Sequence, residues 1–169
     1  KFLQISHAYT TYARDGSSST VCREFTTKQE SDGPVVITIY GYYQNNGKTY
    51  YSEAQCNSTD GSVSNGQFSL DCKTVEDTRR KKITSIPTNK LYISVTDTDY
   101  ENYAILYMCI KFGSDIKENT LVLKTTQDAK IDDQVKQHLS SKGMNLDTFI
   151  SRNNTFCEDI KNKNTNKNE

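Results

Sequence analysis

The stretch Val95-Thr-Asp-Thr-Asp-Tyr-Glu-Asn-Tyr-Ala-Ile-Leu-Tyr-Met-Cys109 decides how this chain folds. Apolar residues alternate up to Val95, the alternation breaks at a polar corner, and it resumes in a second strand that ends on a cysteine. Two antiparallel strands therefore meet here. Asp97 and Asp99 can accept hydrogen bonds from the turn's own backbone, and Tyr100 and Tyr103 are placed to cover the barrel edge on either side.

Outward from this corner, period-2 runs recur between turn-rich breaks. They are Leu3 to Tyr12, Val21 to Thr27, Val35 to Tyr43, Lys48 to Cys56, Gly66 to Lys73, Lys90 to Thr96, Tyr103 to Phe112 and Thr120 to Thr125. The breaks include Asp15-Gly-Ser-Ser-Ser19, Ser31-Asp-Gly-Pro34, Asn45-Asn-Gly47 and Asp60 to Asn65, each with the residues of a hairpin loop. Eight strands joined by short loops make an up-and-down antiparallel meander. Closing it into a barrel removes the exposed edges and can enclose one small ligand. Beyond the strands, Ile131, Val135 and Leu139 lie four apart among polar residues, which predicts an amphipathic α-helix over 130–142 that Gly143 ends. A short turn from Leu146 to Ile150 then returns Cys157 to the barrel. The expected architecture is all-β, an eight-stranded antiparallel barrel with a C-terminal α-helix. Residues 1–160 form one domain, and the Asn- and Lys-rich 161–169 a disordered polar tail.

Composition agrees with one domain: 169 residues, about a third apolar and a quarter charged, suffice for a core. The net charge is zero, and apart from Arg79-Arg80-Lys81-Lys82, read as a solvated loop, the basic residues are scattered, so no nucleic-acid footprint is present. No apolar run approaches the ~18 residues of a membrane span. No charged-then-apolar leader opens the chain, so any signal peptide is expected to have been removed. Five cysteines without a C-x-x-C pair, and only two histidines, argue for disulfides in an oxidising compartment and against zinc or another metal. The odd count leaves an intermolecular bond, a free thiol or a missing partner; the last is expected, a sixth cysteine in an N-terminal segment before Lys1-Phe-Leu. Asn57 and Asn153 head N-x-S/T sequons, candidate glycosylation sites of a secreted protein. Nothing calls for an obligate oligomer or a cofactor, and a monomer is expected.

The corner residues Thr98, Asp99, Tyr100, Tyr103 and Ala104 resemble the T-D-Y-x-x-Y-A signature of lipocalins. Lys1-Phe2, Val21-Cys-Arg-Glu-Phe25, Gly66-Gln-Phe-Ser-Leu-Asp-Cys72 and Phe149-Ile-Ser-Arg152 near Cys157 narrow the resemblance. Together they look like the salivary lipocalins of blood-feeding triatomine bugs, a triabin-like family, within it the pallidipin and triplatin group that antagonises platelet aggregation. The resemblance implies a lipocalin (calycin) barrel, secretion in saliva, a Cys22–Cys157 bridge and a partner for Cys109 in the N-terminal segment. It leaves Cys56 with Cys72. Each bridge is worth roughly 2–4 kcal/mol. The chain also departs from the wider pattern: Ile5-Ser6-His7 stands where most lipocalins have the Trp of G-x-W, and Lys124 or Thr125 where they have an Arg, so the usual Trp–Arg closure of the floor is absent. In triatomine relatives the strand order can be rearranged.

Alternation places an inward set along the strands. It comprises His7 and Tyr9, Arg23 and Phe25, Ile37 and Ile39 with Val35, and Tyr51. It continues with Phe68 and Leu70, Ile93 with Leu91 and Val95, Leu106 and Met108, and Leu121 and Leu123. Such a lining suits an extended aliphatic ligand whose head a few polar groups fix, although each of these residues also reads as plain core. An inward Arg23 can anchor a carboxylate bidentately; the alternative is an internal ion pair with Glu53. His7 is a ligand-contacting or floor-plugging side chain, and His138 a solvated one on the helix shoulder. Neither suits a haem-bound carrier, whose iron needs an imidazole well inside the barrel mouth. Tyr40, Tyr42, Tyr43, Tyr50 and Tyr51 gather around the Asn45-Asn-Gly47 hairpin, to rim the pocket or present a protein-binding surface. With no G-x-S-x-G elbow, phosphate loop or H-E-x-x-H, the chain reads as a non-enzyme. Three functions fit: inhibition of host haemostasis by sequestering a hydrophobic mediator such as thromboxane or another eicosanoid; inhibition of a coagulation or contact-activation protein; and scavenging of a biogenic amine, which needs an inward carboxylate such as Glu53 left free of Arg23.

Overall fold

The computed structural model describes residues 4–29, 31, 33–80, 88–127 and 130–165; Lys1-Phe2, Lys81, Lys82 and the last four residues lie outside the described residues. Eight strands follow in order: β1 (His7–Ala13), β2 (Cys22–Gln29), β3 (Val35–Asn45), β4 (Lys48–Ser64), β5 (Gln67–Asp77), β6 (Thr88–Thr98), β7 (Tyr103–Phe112) and β8 (Asp115–Lys124). Each pairs antiparallel with the next, and β1 pairs with both β2 and β8, so the sheet closes as a meander in strict chain order. Its strands run longer than the apolar pattern suggests. The first half of β8, Asp115 to Asn119, is mostly polar and carries little alternation, yet it is paired to β7 throughout.

Helix α1 (Asp132–Ser141) and a one-turn 3-10 segment (Leu146–Thr148) follow, then a two-residue strand β9 (Ile150–Ser151) on the edge of β1, and α2 (Asn154–Thr165). Ile131, Val135 and Leu139 are buried as their spacing demands, against Tyr103, Ile105 and Val122 on the outer face of β7 and β8. Gly143, at φ +75°, ends the helix, and the Met144 N–H returns to the Leu139 carbonyl. The tail expected to be disordered from 161 is instead helical through Thr165. Cys157, one turn into α2, is bonded to Cys22, and Asn153 caps the helix by accepting from the Phe156 N–H at 3.0 Å. A tethered and capped start lets a polar sequence remain helical.

The corner is built by Asp99. Its Oδ1 accepts from the N–H groups of Glu101, Asn102 and Tyr103, and its Oδ2 from the Asn102 side chain. Burial alone would raise this carboxyl, but those four donors hold it at about 2. Tyr103 is buried and donates to Asp97, whereas Tyr100 sits at φ +66° with half its surface in solvent. Where the usual floor arginine is missing, a buried Lys124 reaches outward to Asp132 of α1 at 2.8 Å, and Tyr12 donates to the same carboxylate. Thr125 latches the corner through the Asn102 carbonyl. The floor is thus pinned by a lysine to the helix.

Candidate functional site

Inside the barrel the two ends differ. At the corner end, Ile5, Ala8, Ile37, Ile93, Leu106 and Leu123 surround a void of only about 10 Å³. At the other end the wall encloses about 670 Å³, within the ~300–1,000 Å³ of small-molecule sites. Phe25 lines both spaces and forms the partition between them. Above it the walls are Val21, Ile39, Ala54, Leu91, Met108, Ile110 and Leu121, together with the bridge joining Cys56 and Cys72, which face each other across β4 and β5. Polar side chains also line it: Asp15, Ser17 and Ser18 of the β1–β2 loop, Tyr42 and Tyr43 of β3, Asn89 of β6, and Lys117, Glu118 and Asn119 of β8.

The mouth is strapped by the loop between β1 and β2. Asn119 and the Asp15 backbone exchange two hydrogen bonds, while the side chains of Ser17 and Ser19 donate to Gln44 and Ser18 accepts from it. Gln44 belongs to the β3 end of the tyrosine-rich hairpin, so the strap crosses from β8 to that hairpin. Tyr43 there donates to Asp77 at 2.8 Å, and Tyr42 and Tyr51 pack edge to face at 5.4 Å.

Arg23, partly buried, supplies a positive charge in the wall of the large cavity. Its Nη1 donates to the carbonyls of Gly41 (2.8 Å) and Ser52 (3.1 Å) and to the Ser52 hydroxyl (2.9 Å), and Nη2 lies 3.5 Å from the Ile39 carbonyl. Among the described residues no carboxylate comes within ion-pair distance of it; Glu53 instead accepts from Tyr51. Burial pushes the guanidinium down to about 10, and the neighbouring Tyr51, Tyr43 and Asp77 offset part of that. Gly41 makes the arrangement possible. At φ +129° its chain passes so close to β2 that a Cβ would lie 2.1 Å from the Cys22 carbonyl oxygen.

The structure sorts the residues that alternation places inward. Arg23, Phe25, Ile39, Met108 and Leu121 line the large cavity. Ile37, Ile93, Leu106 and Leu123 lie inward but below the Phe25 partition, and Phe68 and Leu70 are buried in the same core without lining the large cavity. His7 and Tyr9 face outward: the register sets Ala8 against Phe25, so Ala8 and Thr10 are the inner residues of β1. Parity carried from Leu3 and Ile5 across Ser6, which is not in the strand, is inverted there, and small residues face in because Phe25 fills the space opposite. Outside, His7 pairs with Glu24 at 3.0 Å, and Tyr9 lies under the Arg152 guanidinium. Tyr51 and Glu53 also face outward, opposite in parity to Ala54 and Cys56; the first half of β4 has small or polar residues on both faces and carries no signal. His138 is largely buried, 3.7 Å from Asp97, rather than solvated. Asn57 and Asn153 stand at the surface, the second as the cap of α2. Alternation gives no hint of the strap, of Thr10, or of the place of the Cys56–Cys72 bridge in the cavity wall. A run of Ser and Gly next to Asp15 is the only trace of the strap in the sequence.

The family model described as Triabin matches residues 1–138. Pallidipin of Meccus pallidipennis is 36% identical over 161 residues, covering 95% of this chain and 82% of that protein. Triafestin-2 of Triatoma infestans is 33% identical, covering 99% and 81%. The platelet inhibitor triplatin-2 of the same insect is 34% identical, covering 93% and 79%. Among solved structures, the tryptamine complex of the amine-binding protein of Rhodnius prolixus superposes with a TM-score of 0.67 at 21% identity, covering 86% of this chain and 76% of that one. LTBP1 in complex with leukotriene C4 gives 0.55 at 24%, covering 82% and 76%. At these identities the structural matches speak for the fold.

Proposed function

We propose that this chain, which belongs to the triabin family, sequesters a small hydrophobic carboxylic acid in the upper half of its barrel, an eicosanoid such as thromboxane, and so inhibits host platelet aggregation when secreted in the saliva of a blood-feeding bug. The observation that carries this reading is a partly buried guanidinium, held by backbone carbonyls and without a carboxylate partner among the described residues, in the wall of a 670 Å³ cavity with a largely apolar inner part. An anionic head supplies the missing partner and the apolar wall takes the chain.

Magnitudes favour an acid over a neutral lipid. Ten methylenes buried at ~0.8 kcal/mol each supply roughly 8 kcal/mol before the cost of association, whereas a scavenger working at nanomolar concentration needs about 12. The head group has to contribute the difference. An amine is served less well: Glu53 hydrogen-bonds on the outer surface, and the two carboxylates that do line the cavity, Asp15 and Glu118, stand at its mouth, where Arg14 and Tyr107 already engage them. A protein target would be read by the strap and the tyrosine hairpin, and would leave the cavity without a role.

Calorimetric titration with a stable thromboxane mimic and arachidonate, with serotonin and histamine alongside, tests the proposal. One-to-one binding of the acids at nanomolar concentration supports it. Micromolar or absent acid binding overturns it, and amine binding in its place points to the trap.

A further inference from the structure

We infer that the tip of the β7–β8 hairpin is a lipid-contacting finger, through which the open end of the barrel settles on an anionic phospholipid surface. The hairpin turns at Gly113, φ +58°, and Ser114, with Phe112 paired to Asp115 and Lys111 to Ile116. Phe112 and Ile116 therefore belong to opposite faces of the ribbon, both close to its turn. Phe112 is 42% exposed and Ile116 61%, the latter more than any other large apolar residue described. Two such side chains at one turn leave apolar surface in water that a lipid interface buries.

Charge points to the same partner. Lys111 precedes Phe112 and Lys117 follows Ile116, so a lysine stands one residue behind each apolar side chain. There its stem can lie along the acyl boundary while the ammonium meets lipid phosphate. Antiparallel order puts the β3–β4 hairpin and the end of β5 at the same end of the barrel, which adds Lys48 and Arg79. None of these four cations is in an ion pair among the described residues. The neighbouring acids are already engaged: Asp15 by Arg14, Asp77 by Tyr43 and Glu118 by Tyr107. Asp115, the one acid within 111–117, opposes docking and is outweighed by the lysines on either side. Lys117 also lines the cavity, so a docked barrel turns its mouth to the membrane. The inference does not depend on which ligand the cavity holds.

Co-sedimentation with phosphatidylcholine vesicles, with and without phosphatidylserine, tests it. The proteins are the wild type, Phe112→Ser with Ile116→Ser, Lys111→Gln with Lys117→Gln, and Tyr100→Ser, each checked for the native circular dichroism. The wild type binds the vesicles that contain phosphatidylserine and leaves them as salt rises. Each double variant binds them roughly 10- to 100-fold more weakly. Tyr100→Ser, which removes an exposed aromatic side chain at the corner end, binds as the wild type does. A wild type that ignores the vesicles, an apolar double variant that binds unchanged, or equal weakening by Tyr100→Ser overturns the assignment. Binding to platelets without binding to vesicles also overturns it, in favour of a protein receptor.

Discussion

Replacing Arg23 with methionine separates its structural role from its part in binding. The side chains are similar in length and the apolar stem is kept, so what is lost is the charge and its donors. For the fold, the carbonyls of Gly41 and Ser52 and the Ser52 hydroxyl lose a donor, at about 1–3 kcal/mol per group left unsatisfied, while an unpaired, partly buried charge disappears, offsetting part of that. These effects oppose each other, and the variant should remain folded with stability within about 2 kcal/mol of the wild type. Binding has no such compensation. A bidentate carboxylate–guanidinium contact makes two charge-assisted bonds of about 1.5–3 kcal/mol each; after head-group desolvation, roughly 2–4 kcal/mol remains, or about 30- to 1,000-fold in Kd. Lysine cannot make both bonds and should fall between. Titrating wild type, Arg23→Met and Arg23→Lys with a long-chain acid and its primary alcohol reads the effect directly. The acid should weaken by that factor in Arg23→Met, and the alcohol should change little. With the guanidinium at about 10, acid affinity should stay flat from near pH 6 to pH 9. A wild type that fails to distinguish acid from alcohol, or a methionine variant that binds the acid unchanged, refutes the reasoning.

Gly41→Ala should destabilise by more than about 3 kcal/mol, since its Cβ meets the Cys22 backbone at a positive φ; a urea midpoint near that of the wild type would show that β2 and β3 can separate there at little cost. Removing the Cys22–Cys157 bridge frees a 135-residue loop, worth about 5 kcal/mol by chain entropy, against about 3 for the 16-residue Cys56–Cys72 loop, so double alanine variants should rank in that order in denaturant. Asp99, held at about 2, contributes stability that is fully present above its unfolded value near 4 and is lost as pH falls from about 4 through about 2. Asp99→Ala should therefore show a shallower loss of stability than the wild type over that interval, and parallel curves would remove Asp99 from the acid response.

How much of this is legible in the sequence depends on where the sequence alternates. In β2, β5, β6 and β7 large apolar residues mark the inner face, and the parity of Phe25, Phe68, Ile93 and Met108 follows from the residue types alone. In β1 and in the first half of β4 the inner face carries small or polar residues. There, facing is set by what lies opposite: Phe25 requires Ala8, and Ile39 and Ile37 require Ala54 and Cys56. The misplacement of His7, Tyr9 and Tyr51 has this one cause. Both bridges, Cys22–Cys157 and Cys56–Cys72, follow from family resemblance and not from spacing, because five cysteines without a repeating interval allow many pairings.

The same opposition explains why the cavity lies at one end. The inner face of β1 is nearly bare, with Ala8, Thr10 and Ala13, while β2 supplies one bulky residue, Phe25, at the level of Ala8. Below that level Ile37, Ile93, Leu106 and Leu123 fill the barrel; above it the wall next to β1 recedes and the opposite wall is held by a disulfide of small side chains. A larger residue at position 10 would project into this space, so Thr10→Phe should fill it and abolish acid binding without the stability loss of a cavity-creating change. The fluorescence of a bound chain probe, absent in Thr10→Phe and present in Thr10→Val, would locate the ligand above Phe25; equal signals would place it elsewhere, outside the barrel wall that Thr10 helps to form.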